Sequence, residues 1–148
     1  MNKFYLSALL LSFLWSHAGA AVEINIPKVS AQLVIDADLS ETAWQQATPV
    51  EILYETRPAE NTPALVKTTA YVMENGEFFY LSFVAEDPDP TQIRAFYRDR
   101  DKIWDDDNVG IKIDTYNDSK LAYQFFINPF GVQADAIENE IIKMESCD

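Results

Sequence analysis

Residues 66–85 read VKTTAYVMENGEFFYLSFVA, two runs rich in β-branched and aromatic residues on either side of Asn75-Gly76. Asn-Gly supplies the positive φ angles of a type I′ turn, so the stretch predicts a tight hairpin joining Val66–Met73 to Phe78–Ala85. A two-residue turn sets Val72 opposite Phe79, Ala70 opposite Leu81 and Thr68 opposite Phe83, and this face is expected to be core. The other face pairs Met73 with Phe78 and Tyr71 with Tyr80, so it is not polar either. Either a second layer covers it or it forms an aromatic surface; burial is the expected role of such a stripe.

The same grammar extends in both directions. Toward the C-terminus, Asp87-Pro88-Asp89-Pro90 stops the ladder, because proline cannot donate to it. A charged stretch follows over residues 98–107. Val109, Ile111 and Ile113 then alternate with Gly110, Lys112 and Asp114, and Leu121, Tyr123, Phe125 and Ile127 answer them across Asn117-Asp118-Ser119, a second hairpin. Pro129-Phe130-Gly131 is a turn and Val132–Ala136 a short strand, after which Ile137–Lys143 reads as helix. Toward the N-terminus, Val50–Tyr54 reads as a strand and Arg57–Pro63 as a loop. Val34-Ile35 ends a first short strand, Asp36–Ser40 turns the chain, and Glu41–Gln46 forms one helical turn around Trp44. Short strands punctuated this way predict an all-β chain: an antiparallel two-sheet β-sandwich of jelly-roll or immunoglobulin-like type.

The first 20 residues have a different character. Lys3, an apolar run from Phe4 to Trp15 and the small residues Ala18-Gly19-Ala20 form a signal peptide pattern. The run is too short for a spanning helix, which needs about 20 apolar residues, and no later stretch is apolar enough to cross as one. The chain is therefore expected to be exported, to the periplasm, the outer membrane or the medium. Cleavage after Ala20 leaves 128 residues with a formal charge of −14, since the whole chain carries −13 and the signal holds Lys3. That length suits one domain. The charge repels phosphate backbones and anionic lipid, which argues against nucleic acid and favours neutral or cationic ligands and divalent cations.

The only histidine, His17, lies in the signal. The remainder therefore has no histidine for nucleophile activation, zinc or haem ligation. The only cysteine, Cys147, permits no intrachain disulfide and no thiolate cluster.

Residues 98–107 hold the densest set of candidate functional side chains. A sugar site needs an aromatic ring for the C–H face of a pyranose and planar charged groups for paired hydroxyls. Trp104 offers the ring, with Tyr97, Arg98, Arg100 and Asp107 for polar contacts. The alternative is that Trp104 is core and the charges form a solvated loop of weak ion pairs. Asp87, Asp89, Asp105 and Asp106 are candidate oxygen ligands for a structural Ca²⁺, although the spacing is not that of an EF-hand. A glycoside hydrolase needs two placed carboxylates, and no feature selects a pair among the 24 acids. Catalysis is not expected.

Four segments, in order, resemble one family. They are residues 35–44 (IDADLSETAW), residues 80–83 (YLSF) running to Asp87-Pro88-Asp89-Pro90, residues 100–107 (RDKIWDDD) and residues 126–136 (FINPFGVQADA). Together they are similar to the family 9 carbohydrate-binding module-like domain over about residues 31–136. The resemblance implies a non-catalytic β-sandwich that binds polysaccharides or oligosaccharides such as xylan and glucan, with structural calcium. It also implies a link to carbohydrate catabolism through attached glycoside hydrolases. A similar domain stands at the N-terminus of large bacterial envelope proteins, which this sequence resembles more. A structural or interaction domain of the envelope is thus the first alternative function, and a fragment of a glycoside hydrolase the second. Ala37 stands where the family usually has glycine. Trp44 matches a structural position, which leaves Trp104 as the platform. The resemblance divides the chain into the signal (1–20), the sandwich (21–136) and an atypical tail (137–148). It implies that further strands are missing after Ala136, so that the chain is marginally stable, self-associates or needs a partner segment.

Overall fold

The computed structural model describes residues 22–55 and 60–139. The signal peptide pattern, and the part of the tail beyond Asn139, lie outside the described residues. The fold is all-β. Strands β1 (Thr48–Glu55), β2 (Thr62–Glu74) and β3 (Phe79–Glu86) form one antiparallel sheet in the order β1-β2-β3, and β4 (Val109–Ile113), β5 (Leu121–Ile127) and β6 (Gln133–Asn139) form a second in the order β4-β5-β6. Residues of both sheets line the same cavities, as in a β-sandwich. The only helical elements among the described residues are two 3₁₀ turns, Thr42–Gln46 around Trp44 and Pro90–Gln92. None is long and apolar enough to cross a membrane.

The second hairpin forms as its alternation predicts, with Ile111 opposite Phe125 and Ile113 opposite Tyr123. The first differs in register. Val72 lies opposite Leu81, Ala70 opposite Phe83 and Met73 opposite Tyr80. The cause is Asn75. Its Oδ1 accepts the N–H groups of Glu77 and Phe78, and its own N–H donates to the Phe78 carbonyl. This local side-chain capping makes a four-residue loop over Asn75–Phe78, in which only Gly76 takes a positive φ, +91°. A shift of two residues leaves every side chain on its own face, whereas a shift of one would have inverted the sheet.

The tightest core is on the face expected to be second. Met73 and Tyr80 are buried with Val29, Ala43, Trp44 and Ala47, and Tyr71, Leu33 and Leu39 pack against them. Residues 29–47 are thus the layer that covers this face. The arm is tied by Val29 N–H to the Glu74 carbonyl and by Asn75 Nδ2 to the Ala31 carbonyl. On the other face Ala70 and Val72 are buried, but Phe79 is exposed and Leu81 and Phe83 are half-buried.

Two other expectations are corrected. Val34 and Ile35 are exposed and outside any strand; the early pairing is a single parallel bridge, Lys28 to Glu74. Ile137–Asn139 continues β6 rather than starting a helix, because Ile137 finds Tyr123 and Asn139 finds Leu121 across the ladder. Partner strands override a local pattern that taken alone favours helix.

The turn at Asp36–Ser40 forms through Asp36 Oδ1 accepting the Asp38 N–H and Asp38 Oδ1 accepting the Ser40 N–H. It holds the exposed Ala37 at φ +66°. A left-handed L-residue with a Cβ costs roughly 1–2 kcal/mol, and glycine's extra unfolded-state entropy returns part of that. Ala37→Gly is expected to stabilise the domain by about 0.5–1 kcal/mol. A chemical denaturation midpoint that stays put or falls would contradict this.

Candidate functional site

The segment between β3 and β4 carries the candidate residues, and the structure shows it fastened at several points. Asp87 Oδ1 accepts the Asp89 N–H, and Asp89 caps the 3₁₀ turn through Thr91 and Gln92. Asp107 Oδ2 accepts the Arg94 N–H at 2.8 Å and the Asp107 N–H returns to the Arg94 carbonyl at 2.7 Å, a rung that closes the loop on itself. Further along, the Asp101 N–H donates to the Gln133 carbonyl and Asp101 Oδ1 accepts the Asp135 N–H, so the loop runs along β6. Arg100 binds the side chains of Gln133 and Asp135. Ile103 is fully buried.

At the centre lies a buried polar node. The Asp106 side chain is wholly inaccessible, and its Oδ2 accepts the Phe96 N–H at 3.2 Å and Asn128 Nδ2 at 3.0 Å. Its Oδ1 accepts Arg98 Nε at 3.0 Å. Burial pushes the Asp106 carboxyl up, but the Asn128 amide, the Phe96 N–H and the Arg98 guanidinium outweigh it and hold the group below the usual carboxylate range. Asn128 completes the node: Nδ2 also donates to the Phe96 carbonyl, and Oδ1 accepts the N–H groups of Phe130 and Val132.

On this base stand the aromatic side chains. Trp104 is 52% exposed and meets Phe126 edge-on at 5.4 Å between ring centroids. It is not core. Tyr97 is 81% exposed and stacks on Phe130 at 4.5 Å. Arg98 lies over the Phe96 ring at 5.0 Å. All five predicted contact residues therefore belong to one fastened loop, but they hold different posts. Trp104 and Tyr97 present open rings on separate ring partners. Arg98, a third exposed, and Arg100, half exposed, present guanidinium groups already oriented by carboxylates. Asp107 has one oxygen engaged in holding the loop. Of the loop's charges, Arg98 and Arg100 are held by carboxylates and Asp101 and Asp107 accept backbone N–H groups, while Asp99, Lys102 and Asp105 are exposed.

Phe126, Asn128 and Phe130 are not among the contact candidates that the sequence alone suggests. The turn Pro129-Phe130-Gly131 was a usable signal for Phe130, since it sets an aromatic ring at a loop tip. The node has none, since Asp106 and Asn128 are 22 residues apart.

Of the calcium candidates, Asp106 accepts from three donors, and Asp87 and Asp89 cap local turns. Among the described residues no three acidic, histidine or cysteine side chains converge. Set against family models, curated proteins and solved structures, the chain matches none.

Proposed function

We propose that the domain is a non-catalytic carbohydrate-binding module of an exported protein, taking a neutral polysaccharide or oligosaccharide on Trp104 with Tyr97, Arg98, Arg100 and Asp107. The observation that supports this most is the indole of Trp104: a large ring, half open to solvent, held at a fixed angle by Phe126 on an anchored loop. A pre-set ring suits the apolar face of a pyranose because little freedom is lost on contact. Guanidinium groups already oriented by carboxylates suit hydroxyl pairs. The resemblance to family 9 modules adds to this reading. The acidic surface favours an uncharged glycan over a uronate-rich one.

Binding to insoluble xylan and cellulose, followed by titration with oligosaccharides, tests the proposal. Trp104→Ala is expected to weaken binding at least tenfold, about 1.4 kcal/mol, with little change in melting temperature because half the ring is already in water. Affinity untouched by the substitution would remove Trp104 from the site. Failure to bind any polysaccharide would favour a structural domain of the envelope, and turnover of a glycan would favour the hydrolase reading.

A further inference from the structure

We infer that the glycan site runs on from Trp104 over one face of the β4-β5-β6 sheet to Lys112, Gln124 and Glu138. It then takes several sugars of an extended, uncharged chain rather than one terminal sugar. The inference rests on the reading of Trp104 as a sugar platform and adds a second, polar end to that site.

The register brings the two ends together. Phe126, which Trp104 meets edge-on, lies across from Gly110 on β4 and Ala134 on β6. Alternate residues of a strand share a face. The next rung on the Phe126 face is therefore Lys112, Gln124 and Ala136, and the rung after it holds Ala122 and Glu138. Such rungs are two residues, about 7 Å, apart. In the other direction β5 ends at Ile127, and Asn128 is buried in the node with Asp106. A chain longer than the indole thus extends toward Lys112.

The three polar side chains are tied before any ligand arrives. Lys112 Nζ and Gln124 Nε2 both donate to Glu138 Oε2. Glu138 reaches Lys112 diagonally across β5, and the small side chains of Ala122, opposite Glu138, and Ala136, opposite Gln124, leave that path clear. The Glu138 carboxylate is almost wholly buried while the Lys112 side chain is half exposed, so the acid is the post and the ammonium faces water. An ammonium has three N–H groups, and the bond from Gln124 Nε2 orients an amide whose oxygen has no partner among the described residues. A donor and an acceptor fixed in this way suit sugar hydroxyls, which both donate and accept, and little freedom is lost on contact. The opposite charges of Lys112 and Glu138 offset each other, which suits an uncharged chain. An ion pair this exposed adds little to stability, so its part in binding can be read without losing the fold.

The test titrates the whole chain with the disaccharides and hexasaccharides of xylan and of cellulose. Wild type is expected to bind the hexasaccharide of its preferred series at least tenfold more tightly than the disaccharide. Lys112→Met keeps the aliphatic stem and removes the ammonium. It should weaken hexasaccharide binding at least fivefold, leave the disaccharide affinity unchanged and leave the melting temperature in place. Gln124→Met should repeat that pattern, whereas Trp104→Ala should weaken both sugars. Amide resonances of Lys112 and Gln124 should move with the hexasaccharide and stay put with the disaccharide. Hexasaccharide affinity untouched by Lys112→Met and Gln124→Met would overturn the inference and leave the Trp104 platform standing. An equal loss for both sugars would also overturn it, since the polar group would then act only by supporting the platform. No binding of either length by wild type would overturn the platform and its extension together.

Discussion

Gly110→Val will leave a protein that does not fold cooperatively, or one weakened by about 3 kcal/mol or more. Gly110 has an ordinary negative φ, so backbone strain is not the reason. Space is. A Cβ at this position would overlap the ring of Phe126, its cross-strand partner, and would meet the Phe125 carbonyl oxygen at 2.5 Å. A ring can rotate away; a strand carbonyl moves only if the β4–β5 ladder moves with it. Phe126 has little room to yield, since its ring supports Trp104. The damage therefore has a second reading. Gly110→Ala, the smaller insult, should lower the melting temperature and also shift the near-ultraviolet dichroism of Trp104. An unshifted melt for the alanine variant would mean that β4 and β5 lie further apart than the structure places them. In the sequence Gly110 is one polar-face position in an alternating strand. Its close approach to Phe126 needed the register, which fixes that pair.

The legible parts of this chain are those decided by local chemistry. Alternation of Val109, Ile111 and Ile113 against Leu121–Ile127 specified the pairing and set seven apolar side chains on one side, although Phe125 and Ile127 on that side are exposed. The turns at Asp36–Ser40 and Pro129–Gly131 followed from Asp, Pro and Gly in the same way. The first hairpin shows the limit of such reasoning. Asn75-Gly76 marked the turn, but the number of loop residues depended on where the Asn75 side chain bonds. Nδ2 donates to the Ala31 carbonyl and the Tyr80 hydroxyl, groups brought in by the arm and by β3. The same arm decided which face of the first sheet became the tightest core. Nothing in the pattern of β2 and β3 distinguishes the Met73 face from the Val72 face; Trp44 and Val29 do so by lying on one of them. The candidate site divides along the same line. The residue types that could bind a sugar were visible as a cluster, while the anchoring that fixes them came from contacts 13, 22 and 34 residues apart.

Asn128→Ala should cost about 3 kcal/mol, roughly 10 °C in melting temperature. Asn128 is 4% exposed and its side chain makes four hydrogen bonds. Alanine leaves the Phe130 and Val132 N–H groups without their side-chain acceptor and removes one of the donors that hold Asp106 ionised. The loop carrying Trp104 and Tyr97 would loosen with it, so glycan affinity should fall although neither ring is altered. The wild-type protein should also be acid-sensitive in a defined direction. Asp106 titrates lower in the folded chain than the roughly 3.9 of an unfolded aspartate. Its contribution is therefore fully present above about pH 4 and is lost as the pH falls through the depressed value. Asp89, lowered by Gln92 and Thr91, and Asp114, lowered chiefly by the Ser119 N–H, add to the same fall. Asp106→Asn should be less stable at neutral pH yet decline less steeply in acid. Asn128→Asp separates geometry from charge. It keeps an acceptor for Phe130 and Val132 but sets a second carboxyl against Asp106, and two such groups cannot both ionise cheaply. One of them then titrates above its unfolded value, so this variant should lose stability as the pH rises above about 4, opposite to the wild type. Thermal melts between pH 3 and pH 7 read both slopes. Parallel curves for wild type and Asn128→Asp would show that Asn128 and Asp106 do not share the buried node.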